Sequence, residues 1–213
     1  MEKKGRRFGM CVIGVVVCGI AVGIFKLAAF GVDPFQTFMG GLNQMIPISF
    51  GTLYVIVNAI LLLFSIFADR HYLGLATFVN LFLIGYIVDY SHVTLLALFP
   101  TIGIIGRIVA FLIGIILLCL GSAFYYVADW GVSTYDAVSL IIAHTWKKGQ
   151  FKYIRITADF ICVALGSALF LTAGGSISGL LAIAGVGTII TASCMGPLID
   201  IFIKRIAQPF FDR

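Results

Sequence analysis

Six long apolar runs, at roughly 8–30, 51–68, 73–92, 103–128, 153–173 and 178–203, limit what this chain can fold into. Each is long enough to cross about 30 Å of hydrocarbon as a helix rising about 1.5 Å per residue. None alternates with the period of two that a half-buried strand requires, and a backbone in lipid must satisfy its own amides. The sequence therefore predicts an all-α polytopic membrane protein of six spans. Composition agrees, with 61% of residues hydrophobic and 11% charged, against about 25% charged in soluble domains. The lipid bilayer is the first partner implied. The run opening at Phe8 is too long for the core of a signal peptide and reads as the first span.

The net charge of +5 is a topology signal rather than a sign of nucleic acid binding. With the N-terminus inside and six crossings, Lys3, Lys4, Arg6, Arg7, Arg70, Lys147, Lys148, Lys152, Arg155, Lys204, Arg205 and Arg213 all fall inside. Only Lys26 and Arg107 fall outside. This bias predicts a multi-pass protein of a bacterial-type inner membrane with N-terminus and C-terminus cytoplasmic.

Two shorter apolar stretches, 32–46 and 132–146, begin with helix-initiation signals. In the first, Asp33 is placed to cap and Pro34 to occupy the first helical position. In the second, Ser133 is placed to cap. Both read as short helices that lie at the interface or re-enter the membrane.

The two halves match. At an offset of 100, Arg7 aligns with Arg107, Ile13-Gly14 with Ile113-Gly114, Gly31-Val32 with Gly131-Val132, and Phe35 with Tyr135. After one inserted residue Asn58 aligns with Asp159, and further on the series Thr77, Gly85, Asp89 recurs with identical spacing as Thr188, Gly196, Asp200. This predicts a duplication, with repeats at 1–100 and 101–213 inside one structural domain. Three spans per repeat is an odd number, so the repeats have inverted topology. That arrangement is found in transporters with a site at the repeat interface near the midplane.

The segment Gly31-Val32-Asp33-Pro34-Phe35, and the later Gly185-Val186-Gly187-Thr188 followed by Gly196 and Asp200, resemble motifs of the YczE/YyaS/YitT family of bacterial integral membrane proteins, the YczE branch most closely. The likeness runs through essentially the whole chain. It implies a plasma-membrane location and, from links of some members to secondary-metabolite production, an export or accessory role. The second copy, Gly131-Val132-Ser133-Thr134-Tyr135, lacks the proline.

Asp159 lies within the fifth span, where a carboxylate costs about 2.5–3.5 kcal/mol and should face protein or a water-filled cavity. It is a candidate ion-coupling residue, with neutral Asn58 as its counterpart. Asp33, Gln36, Ser133 and Asp136 cluster at the starts of the short helices, as caps or ligand contacts. Thr77, Asn80, Thr188, Thr191 and Ser193 lie among glycines and read as packing stripes or as a pore lining. Arg107 runs against the charge bias, so two cross-repeat gate pairs are expected, Asp89 with Arg107 and Asp200 with Arg7.

The five cysteines fall inside apolar runs without metal-ligand spacing, and the three histidines sit at span ends. No catalytic motif, cofactor fingerprint or metal site is expected, so the chain reads as a non-enzyme. A small secondary transporter of an unknown small-molecule substrate is the leading reading. The alternatives are a non-transporting accessory or regulatory protein and a membrane-embedded binding subunit of an uptake system. The glycine-rich faces of spans three and six suggest a homodimer.

Overall fold

A computed structural model describes residues 2–212. Among them there is no strand, and six helical segments are long and apolar enough to cross a membrane. Arg213, one of the residues behind the orientation argument, lies outside the described residues, as do the side chains of Lys3, Lys4 and Lys152.

The elements are α1 (Glu2–Ala28), α2 (Pro34–Met45), α3 (Phe50–Ala68), a 3₁₀ turn (Arg70–Tyr72), α4 (Leu75–Leu98) and α5 (Ile104–Ala128). Then follow α6 (Thr134–Leu140) with a π-helical extension (Ile141–Thr145), α7 (Phe151–Thr172), α8 (Ile177–Ile183), α9 (Val186–Phe202) with its own π turn (Ile203–Ala207), and α10 (Gln208–Asp212). The two short helices predicted from their caps are thus α2 and α6.

Two span boundaries differ from the hydropathy reading. The third span continues to Leu98 instead of ending near 92. Its polar residues are absorbed by the helix itself, since the Ser91 hydroxyl donates to Val88 O at 3.1 Å and the Thr94 hydroxyl to Tyr90 O at 2.8 Å. The sixth span is not one helix but breaks at Ala184-Gly185 between α8 and α9. The loop after α1 enters this break, where Gly187 N donates to Phe30 O at 2.7 Å and Val32 N to Ile183 O at 3.3 Å.

The same arrangement occurs a second time. The loop after α5 enters the gap between the 3₁₀ turn and α4, with Ala76 N donating to Trp130 O at 2.9 Å and Val132 N to Tyr72 O at 3.1 Å. Gly31 (φ +108°) and Gly131 (φ +100°) make these two loops possible. Each has a left-handed backbone and meets the start of the opposite helix closely, at Gly185–Thr188 and Gly74–Thr77 respectively.

The core is the crossing of α1 and α5. A methyl on Gly14 would sit 2.7 Å from Gly121 O and 2.9 Å from Tyr125 N, and one on Gly114 would sit 2.7 Å from the Phe25 ring. Absent side chains let these helices approach to backbone contact, the usual device of spans that gain little by hiding apolar surface from lipid. Around this pair, α4 packs on α1 and α9 on α5, while α2 packs on α7 and α6 on α3. The α2–α7 contact again uses glycine, since a methyl on Gly41 would lie 2.0 Å from Gly166 O.

Candidate functional site

Both short helices start at one cavity of about 610 Å³. Asp33 caps α2, its carboxylate accepting from Gln36 N at 3.1 Å, and Pro34 fills the first turn, where no amide donor is needed. Ser133 caps α6 by accepting from Asp136 N at 3.1 Å, while its hydroxyl donates to Asp136 Oδ2 at 2.7 Å. The cavity is lined by Asp33, Phe35 and Gln36 from the first helix, and by Ser133, Tyr135 and Asp136 from the second. Tyr54, Asn80, Tyr125, Tyr126, Arg155, Asp159, Thr191, Met195, Gly196, Ile199 and Asp200 are among the other lining residues.

One guanidinium organises the polar wall. Arg155 Nη1 donates to Asp136 Oδ1, and Arg155 Nε donates to Asp159 Oδ1 at 3.2 Å. The Tyr135 hydroxyl donates to the same Asp159 oxygen at 2.8 Å, and the Arg155 guanidinium lies 4.4 Å from the Tyr135 ring centroid. The Asp136 and Asp159 side chains are 13% and 22% exposed. Two carboxylates can approach this closely because a cation stands between them. The cost of holding Asp159 within a span is therefore offset by a charge-assisted pair and a phenol.

Of the predicted residues, Asp33, Gln36, Ser133, Asp136, Asp159 and Asp200 line this cavity, together with Asn80 and Thr191 from the expected pore lining. Asn58 does not join them. It is 1% exposed, its Nδ2 donates to Tyr54 O at 2.8 Å, and its Oδ1 accepts from the Thr134 hydroxyl, so it ties α3 to α6 behind the cavity wall. The aligned positions 58 and 159 thus serve different ends. Asn58→Asp would face a backbone carbonyl with no donor. We expect a loss of roughly 1–3 kcal/mol, visible as a lower melting temperature of the detergent-solubilised protein.

The expected gate pairs are not formed. Among the described residues, the ion pairs are Arg7–Asp129, Asp136–Arg155, Asp159–Arg155 and Asp200–Lys204. Arg107 instead donates to Ala28 O at 2.7 Å and Ala29 O at 2.8 Å, at the C-terminal end of α1. Arg7 meets Asp129, just beyond the end of α5, at 3.7 Å. Helix C-termini present unsatisfied carbonyls and a partial negative charge, and each arginine begins the helix that crosses such an end. Asp89 accepts from Gly51 N at 2.7 Å, and Asp200 pairs with Lys204 one turn along at 2.6 Å.

Arg155 was read from sequence only as a cytoplasmic charge. Its spacing of four from Asp159 was the available signal, since such pairs share a helix face. The tyrosines of the wall gave none, because aromatic residues are common throughout the spans.

Comparison with known proteins bears out the family resemblance. The profile described as "Family of unknown function (DUF6198)" matches residues 5–204. The chain is 23% identical over 202 residues to "Uncharacterized protein YyaS" of Bacillus subtilis (strain 168), covering 94% of each chain. It is 24% identical over 197 residues to "Uncharacterized membrane protein YczE" of the same organism, covering 92% of this chain and 84% of that one. An "Uncharacterized protein" of Haemophilus influenzae is 24% identical over 193 residues, covering 90% of this chain and 81% of that one. No solved structure matches.

Proposed function

The chain belongs to the DUF6198 family of unknown function, and from that premise we propose that it is a small secondary transporter of the bacterial plasma membrane. Its site is the cavity between two inverted three-span repeats, and both termini are cytoplasmic. The reciprocal docking of the Gly31 and Gly131 loops on each other's half supports the inverted relation. The observation that carries transport is a difference between two aligned positions, Gly85 with Asp89 and Gly196 with Asp200, of which only the second pair lines the cavity. At Gly85, α3 and α4 are packed together. A methyl on Gly85 would lie 2.7 Å from Tyr54 Cβ and 3.0 Å from Gly51 Cα, and Asp89 holds Gly51 N. At Gly196, among the described residues, nothing lies within 4 Å of the missing methyl, and Asp200 pairs with Lys204 one turn along. α7 and α9 both line the cavity, through Arg155 and Asp159 on one side and Thr191, Met195 and Gly196 on the other.

One position is packed and its counterpart is open. In a protein with inverted repeats, exchanging the two arrangements carries the cavity from one face of the membrane to the other. With the basic residues inside, the open end faces the cytoplasm.

Accessibility distinguishes this from an accessory protein with a fixed cleft. Met195→Cys and Asn80→Cys, each placed in a cysteine-free background, put thiols on the cavity wall. A membrane-impermeant maleimide is expected to label both quickly in inside-out vesicles and, more slowly, in right-side-out vesicles. Complete protection from the outer face at saturating reagent and long exposure would overturn transport and leave the accessory reading.

A further inference from the structure

The cavity contains more hydrogen-bond acceptors and negative charge than its own residues use. Four carboxylates line it, those of Asp33, Asp136, Asp159 and Asp200, against one guanidinium, that of Arg155. Asp136 and Asp159 share that guanidinium, and Asp200 has Lys204. Asp33 has no ion-pair partner among the described residues, and its carboxylate accepts only from backbone amides at the start of α2, the Gln36 amide at 3.1 Å among them.

Two buried side-chain oxygens have no hydrogen-bond partner among the described residues, Gln36 Oε1 and Tyr125 Oη. Both residues line the cavity and each is 5% exposed. Buried side-chain oxygens in folded proteins are nearly always bonded, so orphans grouped at a cavity need an occupant to complete them. A carboxylate and an amide oxygen can only accept, so the occupant must donate. Asp33 has no ion-pair partner among the described residues, so a cationic donor placed here adds charge complementarity to the hydrogen bonds.

The rest of the wall shapes the remainder of the ligand. The rings of Phe35 and Tyr135 stack with centroids 4.9 Å apart, and Tyr54 meets Phe35 edge-on at 5.9 Å. Aromatic rings attract cations and accommodate apolar groups. A cavity of about 610 Å³ is in the size range of small-molecule pockets and far larger than a bare metal ion needs.

We propose that the cavity binds a protonated primary or secondary amine with an aromatic or apolar body, its ammonium group donating to Asp33 and Gln36. This rests on the transport reading for its purpose, while binding is measured without it. The organic body lies against the ring wall, and the ammonium supplies the charge that Asp33 lacks.

Titration calorimetry on the purified full chain in detergent tests this with three matched probes, benzylamine, benzyl alcohol and benzoate. Benzylamine is expected to bind saturably, with the alcohol and the carboxylate at least tenfold weaker. Asp33→Asn retains a good helix cap and should weaken benzylamine tenfold or more. Gln36→Leu leaves the Asp33 cap intact and should weaken it several-fold, which keeps the test decisive if the first variant folds poorly. Benzoate binding as tightly as benzylamine, or wild-type affinity in Gln36→Leu and in any folded Asp33→Asn, would overturn the assignment. Benzylamine binding to a protein that labels from one face only would uphold the site and reject transport. Labelling from both faces without benzylamine binding would do the reverse.

Discussion

Asp159→Asn is expected to abolish benzylamine uptake driven by a pH gradient in proteoliposomes, bringing it down to the protein-free background, while the protein inserts and elutes as a single species. The asparagine oxygen still accepts from the Tyr135 hydroxyl, which now meets Asp159 Oδ1 at 2.8 Å. The pair with Arg155 is lost, but Arg155 keeps Asp136. The Arg155 and Asp159 side chains are 32% and 22% exposed, and with Arg155 still paired to Asp136 and the Tyr135 hydroxyl still bonded, no buried charge is left alone, so folding should survive. The group that disappears is a carboxylate within a span, where an ionisable side chain is expensive and is placed for function, and its share of the Arg155 guanidinium goes with it. Wild-type accumulation in Asp159→Asn would remove this residue from coupling, and accumulation lost together with the folded species would assign it to structure instead.

Gly31→Ala and Gly131→Ala are expected to be among the most damaging single-methyl changes in the chain, because close contact and a positive φ coincide there. At Gly31 the added carbon would lie 2.4 Å from Thr188 Oγ1, 2.7 Å from Gly185 N and 2.9 Å from Thr188 N. At Gly131 it would lie 2.4 Å from Gly74 N and 2.8 Å from Gly74 Cα. Most of these neighbours are backbone and cannot rotate away. Both positions also have a positive φ that side chains resist. Backbone strain of roughly 1–3 kcal/mol and overpacking of about the same size together consume a large part of the stability of an ordinary domain. Fluorescence-detected size-exclusion chromatography should show loss of the monodisperse peak for either variant. Gly103→Ala, which meets nothing within 4 Å, is the control and should elute as wild type. A stable, monodisperse Gly31→Ala and Gly131→Ala would mean that these loops do not lock the two halves together.

Much of this was legible in the sequence because it is written locally. A span declares itself by about 20 apolar residues in succession, and all six were found that way. The starts of α2 and α6 were readable because a cap acts on amides three residues away, as Asp33 does on Gln36 and Ser133 on Asp136. Even the glycines of the two docking loops were visible as a pair, Gly31 and Gly131, because the same backbone requirement occurs in both halves.

The misreadings share one cause. Sequence equivalence does not say which helices meet, and a polar side chain takes its role from what it meets. Asn58 and Asp159 are counterparts, yet one is sealed between α3 and α6 and the other faces the cavity. Asp89 and Arg107 were paired by their shared side of the membrane. Helix ends nearer to each proved the stronger partners, because unsatisfied amides and carbonyls there must be bonded somewhere. The break at Ala184-Gly185 was invisible to hydropathy, since it exists to admit a loop from the other half. By itself the sequence determined the solvent, the number of spans, the short helices and the family, all of which follow from transfer to lipid and from contacts a few residues long. Only the tertiary structure decided that Arg155 joins Asp136 to Asp159, and that Gly85 is packed while Gly196 is open, because these depend on distances between helices that local sequence does not set.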